Sequence, residues 1–421
     1  MTSELFQRIR ILDPVAEGDR TTDVWVVDGA IAAVADAIPQ SDLPADTHVQ
    51  DGSGLILGTG LIDLYSHSGE PGFESRETLA SLMAAASAGG FTRVAVLPDT
   101  DPPVDNPSGV AWMQSRSKHY TPTLYTWGAL TLGAQGEQMA ELAELAAAGV
   151  VGFADGLPLQ NGSLLRRILE YGQHLGKPIA LWCCDRGITG NGVVRDGVAA
   201  LQLGIAGSPA IAETAPLATV LEFVAELEVP IHLMRVSTAR SVALIRSAKA
   251  QGLPVTASTT WMHLLLDILD VRSYDPSLRL DPPLGNPGDR QALIQGIQDG
   301  TIDAIAIDHS PYTYEEKTVA FAEAPPGAIG LELALPLLWQ TFVATGKWEA
   351  LTLWRSLSSN PACCLGQIPA RIALDHPAEL TLFDPQTEWQ VSPQTLRSLA
   401  SNTPWLGQTL KGKVLRILCG Q

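Results

Sequence analysis

Apolar and polar positions change rhythm twice along the chain. Over residues 1–54 they come in short runs of strand period, and "VWVVDGAIAAV" (24–34) sets two such runs around Asp28-Gly29, a hairpin signal. From residue 55 the rhythm becomes an apolar run, a loop and an Ala/Leu-rich stretch, repeated. The apolar runs read as strands: "LIDLYSH", "FTRVAVLPD", "PTLYTWGAL", "VVGFADG", "PIALWCCD", "PIHLMRVS", "PVTASTT" and "DAIAIDHS". Helical stretches between several of them include "RETLASLMAAASAGG", "EQMAELAELAAAGV", "LLRRILEYGQHLGK", "LATVLEFVAELEV" and "ARSVALIRSAKAQGL". From "AELTLFDPQTEWQVSP" to "LKGKVLRILCGQ" the strand rhythm returns.

Eight candidate strands with mostly helical crossovers predict an α/β fold, a (β/α)8 TIM barrel over residues 55–366. The chain ends, 1–54 and 367–421, are expected to pair into a composite small β domain. In such a barrel the functional side chains stand at the C-terminal ends of the strands. Here those ends carry His67, Asp99, Asp155, Asp185, Arg235, Ser258 and Asp308.

Composition narrows the classes. Against 27 basic residues stand 45 acidic ones, a net charge of −18, which argues against nucleic acid or an anionic membrane as partner. No run of about 18 uncharged apolar residues predicts a membrane span, and "MTSELFQRIR" lacks the apolar core of a signal peptide. The five cysteines, at 183, 184, 363, 364 and 419, include no CxxC spacing, so a reduced, cytoplasmic protein is expected. "GNGVVRDG" lacks the Lys-Ser/Thr of a phosphate loop, and no GxSxG elbow occurs.

The remaining chemistry is carboxylate and histidine. Asp308-His309 closes the last strand, where a carboxylate serves either as metal ligand and base or as a cap before a Pro turn. His67 reads either as a functional residue or as a loop or core histidine, Asp155 either as a metal ligand or as the start of a turn with Gly156, and Asp99 either as a group that orients a ligand or as turn chemistry. His232 and His263 read as structural, and "EEKT" (315–318) as a solvated loop.

Taken together, these positions resemble the dihydroorotase family, zinc amidohydrolases that open or close the ring of dihydroorotate. The block "GLIDLYSHSGEPGFESRETLASLMAAASAGGFTRVAVLPDTDPPVDN" carries the likeness, and "KAQGLPVTAS", "LDPPLGNPGDRQALIQGI", "DAIAIDHSPYTYEEK", "APPGAIGLELALPLL", "LSSNPACCLG" and "SNTPWLGQTLKGKV" follow in order. The resemblance implies a metal site, yet the motif Asp-x-His-x-His-x-Arg stands as Asp63-Leu64-Tyr65-Ser66-His67-Ser68-Gly69. Further metal histidines fall at Trp182 and Arg235, so the residual ligands are His67, Asp155 and Asp308. The implied substrate positions are Asp99, Asp281, His309, Tyr312 and Gly327, with Asp99 and Asp281 standing for asparagines and Tyr312 for a histidine. The substrate-carboxylate arginine is replaced by Gly69.

Indole offers no lone pair, a guanidinium repels metal, and tyrosine ligates only as phenolate. The expectation is therefore a dihydroorotase-like protein with little or no hydrolase activity and no cofactor. In it Arg235 pairs with Asp155 and Asp308 in a pocket partly plugged by Trp182. The resemblance further implies a structural role beside aspartate transcarbamoylase, in a homo- or hetero-oligomer. Two alternatives stay open. One is an active cyclic-amide hydrolase with one weakly bound zinc and Asp308 as base. The other is a small-molecule sensor.

Overall fold

The computed structural model describes residues 3–118 and 120–420. Its N-terminal strands are β1 (Ser3–Asp13), β2 (Gly18–Val27), β3 (Ala30–Ala35), β4 (His48–Asp51) and β5 (Ile56–Thr59). β1 lies at the centre, antiparallel to β2 and parallel to β4 and β5. β2 and β3 form the predicted hairpin, and Asp28 and Gly29 both take the left-handed backbone its turn requires (φ 46° and 78°).

The barrel follows. β6 (Leu61–Ser66), β7 (Phe91–Val96) and β8 (Thr123–Thr126) run parallel. After β9 (Ile179–Trp182) the chain makes a two-stranded excursion, β10 (Val194–Arg195) and β11 (Gly207–Ser208). It then returns to the barrel as β12 (Ile231–Met234), β13 (Val255–Thr260) and β14 (Ala304–Ala306), parallel to β9 in the order β14-β13-β12-β9. Phe153 bridges Gly128 and Ile179, joining β8 to β9. The seam between β14 and β6 closes through Asp308 N to Tyr65 O (3.1 Å) and His67 N to His309 O (2.9 Å). The last strands, β15 (Leu380–Gln390) and β16 (Thr409–Leu418), return to the N-terminal sheet, where β15 pairs with β5. β5 thus belongs by pairing to the small sheet, although it lies within 55–366.

Two elements differ from expectation. "VVGFADG" contributes bridges only at Phe153 rather than a full strand. The Asp155 carboxylate there takes the backbone N–H groups of Leu130 and Thr131, which a continuing ladder would use. "EQMAELAELAAAGV" is helical only over Leu142–Ala148, because Met139 pairs with Thr131 in a short bridge. Helices Pro107–Ser117 and Pro287–Gln298 were not among the expected ones, yet each begins with Asn-Pro, a helix-start signature. No helix among the described residues is long and apolar enough to cross a membrane.

The barrel and the small sheet share buried surface at Trp354. Its indole is fully buried, donates to Thr59 O at 2.8 Å, and lies where a Cβ on Gly58 would stand, 2.1 Å from Cε2. Arg93 ties β7 to the same junction through Glu379, at 2.6 and 2.7 Å. Gly58→Ala is therefore expected to lower the unfolding free energy by about 1–3 kcal/mol, the usual cost of overpacking, read as a fall in denaturant midpoint with an unchanged slope.

Candidate functional site

The C-terminal ends of the barrel strands open into a cavity of about 260 Å³. Asp63 of β6 is fully buried. Its Oδ1 accepts from Ile307 N at 2.8 Å and Oδ2 from the Ser66 hydroxyl, while burial raises its carboxyl to about 7. Asp63 thus stitches the β14–β6 seam and takes no part in the cavity wall. Tyr65, two residues on, is also fully buried. Its hydroxyl is hydrogen-bonded to Ser258 Oγ at 2.9 Å and accepts from Arg235 N at 3.1 Å. Burial, aided by Asp308, raises this phenol further above its usual range, so it remains an uncharged hydroxyl.

Arg235, just beyond β12, is 4% exposed and dominates the site. Its Nε and Nη2 donate to Asp308 Oδ2 and Oδ1 at 2.8 and 2.6 Å, a two-point fork. Nη1 donates to Gly156 O at 2.8 Å. The guanidinium carbon lies 4.7 Å from the Trp182 ring centroid. Burial opposes the charge on both partners, yet each holds the other ionised: Asp308 is driven well below the carboxylate range and Arg235 upward. Both residues have left-handed backbone, φ 54° in each case, an unfavourable conformation for side chains of this size.

His67 stands beside this pair. Its Nδ1 lies 2.5 Å from Asp99 Oδ2, and its Nε2 lies 3.4 Å from Asp308 Oδ1 and 3.1 Å from Arg235 Nη2. Burial alone would lower its pKa, but Asp99 and Asp308 overcome that and raise it to about 9. At neutral pH the imidazolium donates from Nδ1 to Asp99 and stands within ion-pair distance of Asp308, which therefore lies between two cations. At the rim Arg186 pairs with Asp281 at 2.7 Å and lies 4.6 Å over the same Trp182 ring. Three cationic and three anionic side chains therefore line the cavity, each with an opposite partner.

Other expected positions separate. Tyr312 and Gly327 do line the cavity. His309 does not: it is 1% exposed, accepts from Gly330 N at Nδ1 (3.1 Å), and faces Glu77 through Nε2 (3.3 Å), so both nitrogens hold the fold. Asp155 also lies outside the cavity lining, and the expected Arg235–Asp155 pair is absent. Its carboxylate accepts from Leu130 N, Thr131 N and Thr131 Oγ1 at 2.7, 3.0 and 2.7 Å, and burial raises its pKa. Asp185 caps the short helix Arg186–Thr189. His232 is bonded to Thr256 and Ser258 and His263 to Thr260, both buried and held neutral by burial.

"EEKT" is not a solvated loop. Glu316 grips Arg76, whose guanidinium lies over Phe73 and Tyr312, at 4.5 and 5.0 Å. Lys317 is buried, donates to Pro276 O and Pro325 O, and is lowered by burial to about 7. Arg186 and Arg76 were missed from sequence. The only signal was arginine close after a strand end, in "WCCDRG" and "GFESRET". At Gly69 a Cβ would meet Glu77 O at 2.2 Å, so this loop has closed over the space an arginine side chain would leave through.

A zinc ion is implied by the family resemblance, and the donor set does not fit one. Among the described residues no three His, Cys, Asp or Glu side chains converge as a metal site. Asp155 is spent on Thr131, Tyr65 remains a phenol, and both Asp308 oxygens face a guanidinium.

The His67 shift carries a sign. A folded pKa raised from 6.5 to about 9 stabilises the fold fully below pH 6.5, and that contribution fades as pH rises through 9. Unfolding temperature measured from pH 6 to 10 is expected to fall faster for the wild type than for His67→Gln, with an imidazole NMR titration midpoint near 9.

A family model described as dihydro-orotase-like matches residues 54–226. A probable dihydroorotase-like protein from Synechocystis sp. is 45% identical, over 99% of each chain. A dihydroorotase from Pelotomaculum thermopropionicum is 39% identical over 96% of this chain and 93% of its own. Among solved structures, the L-hydantoinase (dihydropyrimidinase) from Arthrobacter aurescens shares the fold, with a TM-score of 0.86 and 20% identity over 100% of this chain and 95% of that one. With relatives this similar over nearly its whole length, the chain belongs to the dihydroorotase-like family of the amidohydrolase superfamily.

Proposed function

We propose that this chain is a dihydroorotase-like protein whose hydrolytic centre has become a fixed ion-pair network, leaving little or no hydrolase activity. The observation that carries the reading is the Arg235 fork on Asp308. A unit charge about 4 Å from a like charge costs ~4 kcal/mol at an effective dielectric constant near 20, so a divalent ion beside Arg235 faces roughly twice that. Water without metal keeps a pKa near 15.7 instead of about 7. Asp308, with its pKa depressed and both oxygens bonded, is a poor base. The substrate shell points the same way. Dihydroorotate is an anion, and Gly69, Asp99 and Asp281 offer it no new positive charge.

The proposal includes a structural role beside aspartate transcarbamoylase in a homo- or hetero-oligomer, a cytoplasmic setting, and no nucleic-acid partner. Exposed apolar side chains on the excursion after β9, Val198 and Leu201 at 72% and 82%, support an interface. Five free cysteines support the reducing compartment. The 39%-identical relative named a dihydroorotase favours a second reading, retained hydrolysis on one weakly held zinc with Asp308 as base.

One experiment separates the two readings. Protein purified without added metal is expected to hold well under one zinc per chain and to leave dihydroorotate and N-carbamoyl-aspartate unchanged. Stoichiometric zinc with turnover at enzymic rates would establish the second reading. Native mass spectrometry of a mixture with aspartate transcarbamoylase is expected to show a joint complex, and two separate species would remove the scaffold role.

A further inference from the structure

We infer that Arg235 is a resident cation: its guanidinium fills, from within the chain, a cation site built by Asp308 and the Gly156 carbonyl, and keeps divalent ions out of it. This rests on the same site as the non-hydrolytic reading but makes a separate claim.

The geometry has the character of coordination. Three nitrogens of one planar group meet three oxygens, at 2.8, 2.6 and 2.8 Å. Those oxygens come from the loop after Phe153 and the end of β14, while the cation comes from β12. One group therefore ties together three staves of the barrel, as a bound ion would. A guanidinium suits this task because its fork matches a carboxylate and its remaining edge is free for a carbonyl.

The surroundings give Arg235 one carboxylate, Asp308, which His67 also approaches at 3.4 Å. A divalent ion is balanced by two carboxylates, and Asp155 stands one residue before Gly156. Its carboxylate instead turns to the 130–131 amides and the Thr131 hydroxyl. Tyr65, in place of an imidazole, accepts the Arg235 backbone N–H and so fixes the residue from behind. Trp182 supplies a ring face 4.7 Å from the guanidinium carbon. The left-handed backbone at both Arg235 and Asp308 persists because these contacts over-determine it.

The test empties the site and asks what refills it. Full-length Arg235→Ala is expected to unfold several degrees below the wild type. Guanidinium chloride in the low millimolar range should recover at least half of that loss, equal urea should recover none, and the wild type should not respond. Arg235→Gln, a neutral and shorter variant, should bind Co²⁺ at least tenfold more tightly than the wild type in equilibrium dialysis. The inference stands if both arms respond, and if Arg235→Ala does not fold the Arg235→Gln arm decides alone. Equal effects of guanidinium and urea, or Co²⁺ binding by Arg235→Gln no tighter than wild type, overturn it. A zinc-free, inactive wild type together with that result would sink this inference and leave the non-hydrolytic reading in place.

Discussion

A buried cation needs a buried anion, and at the mouth of this barrel the Arg235–Asp308 pair meets that requirement. Taking either charge out of water alone costs several kcal/mol, so each holds the other in place. Asp308 also receives His67, which is in turn held by Asp99. The polar wall is thus a chain of alternating charge. A second such pair, Arg186 with Asp281, lies over the same tryptophan. Positions that look like isolated losses against the family pattern are linked in space: Tyr65 supports the backbone of Arg235, and Trp182 lies against both arginines.

Much of the fold was legible because barrel strands are continuous apolar runs and their spacing survives in one dimension. The helix starts at Asn106-Pro107 and Asn286-Pro287 are equally legible, through the Asn-Pro signature and not through apolar periodicity. The short bridge at Phe153 was not legible. It depends on Asp155 capturing amides more than twenty residues earlier, and no local pattern reports that.

The site divides along the same line. Arg235 opposite Asp308 could be read from two motif positions. That Asp155 leaves the pocket, and that His309 is spent on Glu77 and Gly330, follow from contacts between distant segments. Arg186 was invisible because Asp281, the partner that gives it meaning, lies on another loop. Residue identity gave the available charges, whereas their pairing is a property of the assembled barrel mouth.

The loop at Gly69 restricts what can stand at that position. With Glu77 O occupying the direction in which any side chain would emerge, no residue with a Cβ fits at position 69 while the loop stays as it is. The 69–77 turn would first have to reopen, and Arg76 is held across it by Glu316 and the ring of Tyr312. Closure of that turn works as a lock: a side chain at position 69 fits only if several neighbouring residues shift together.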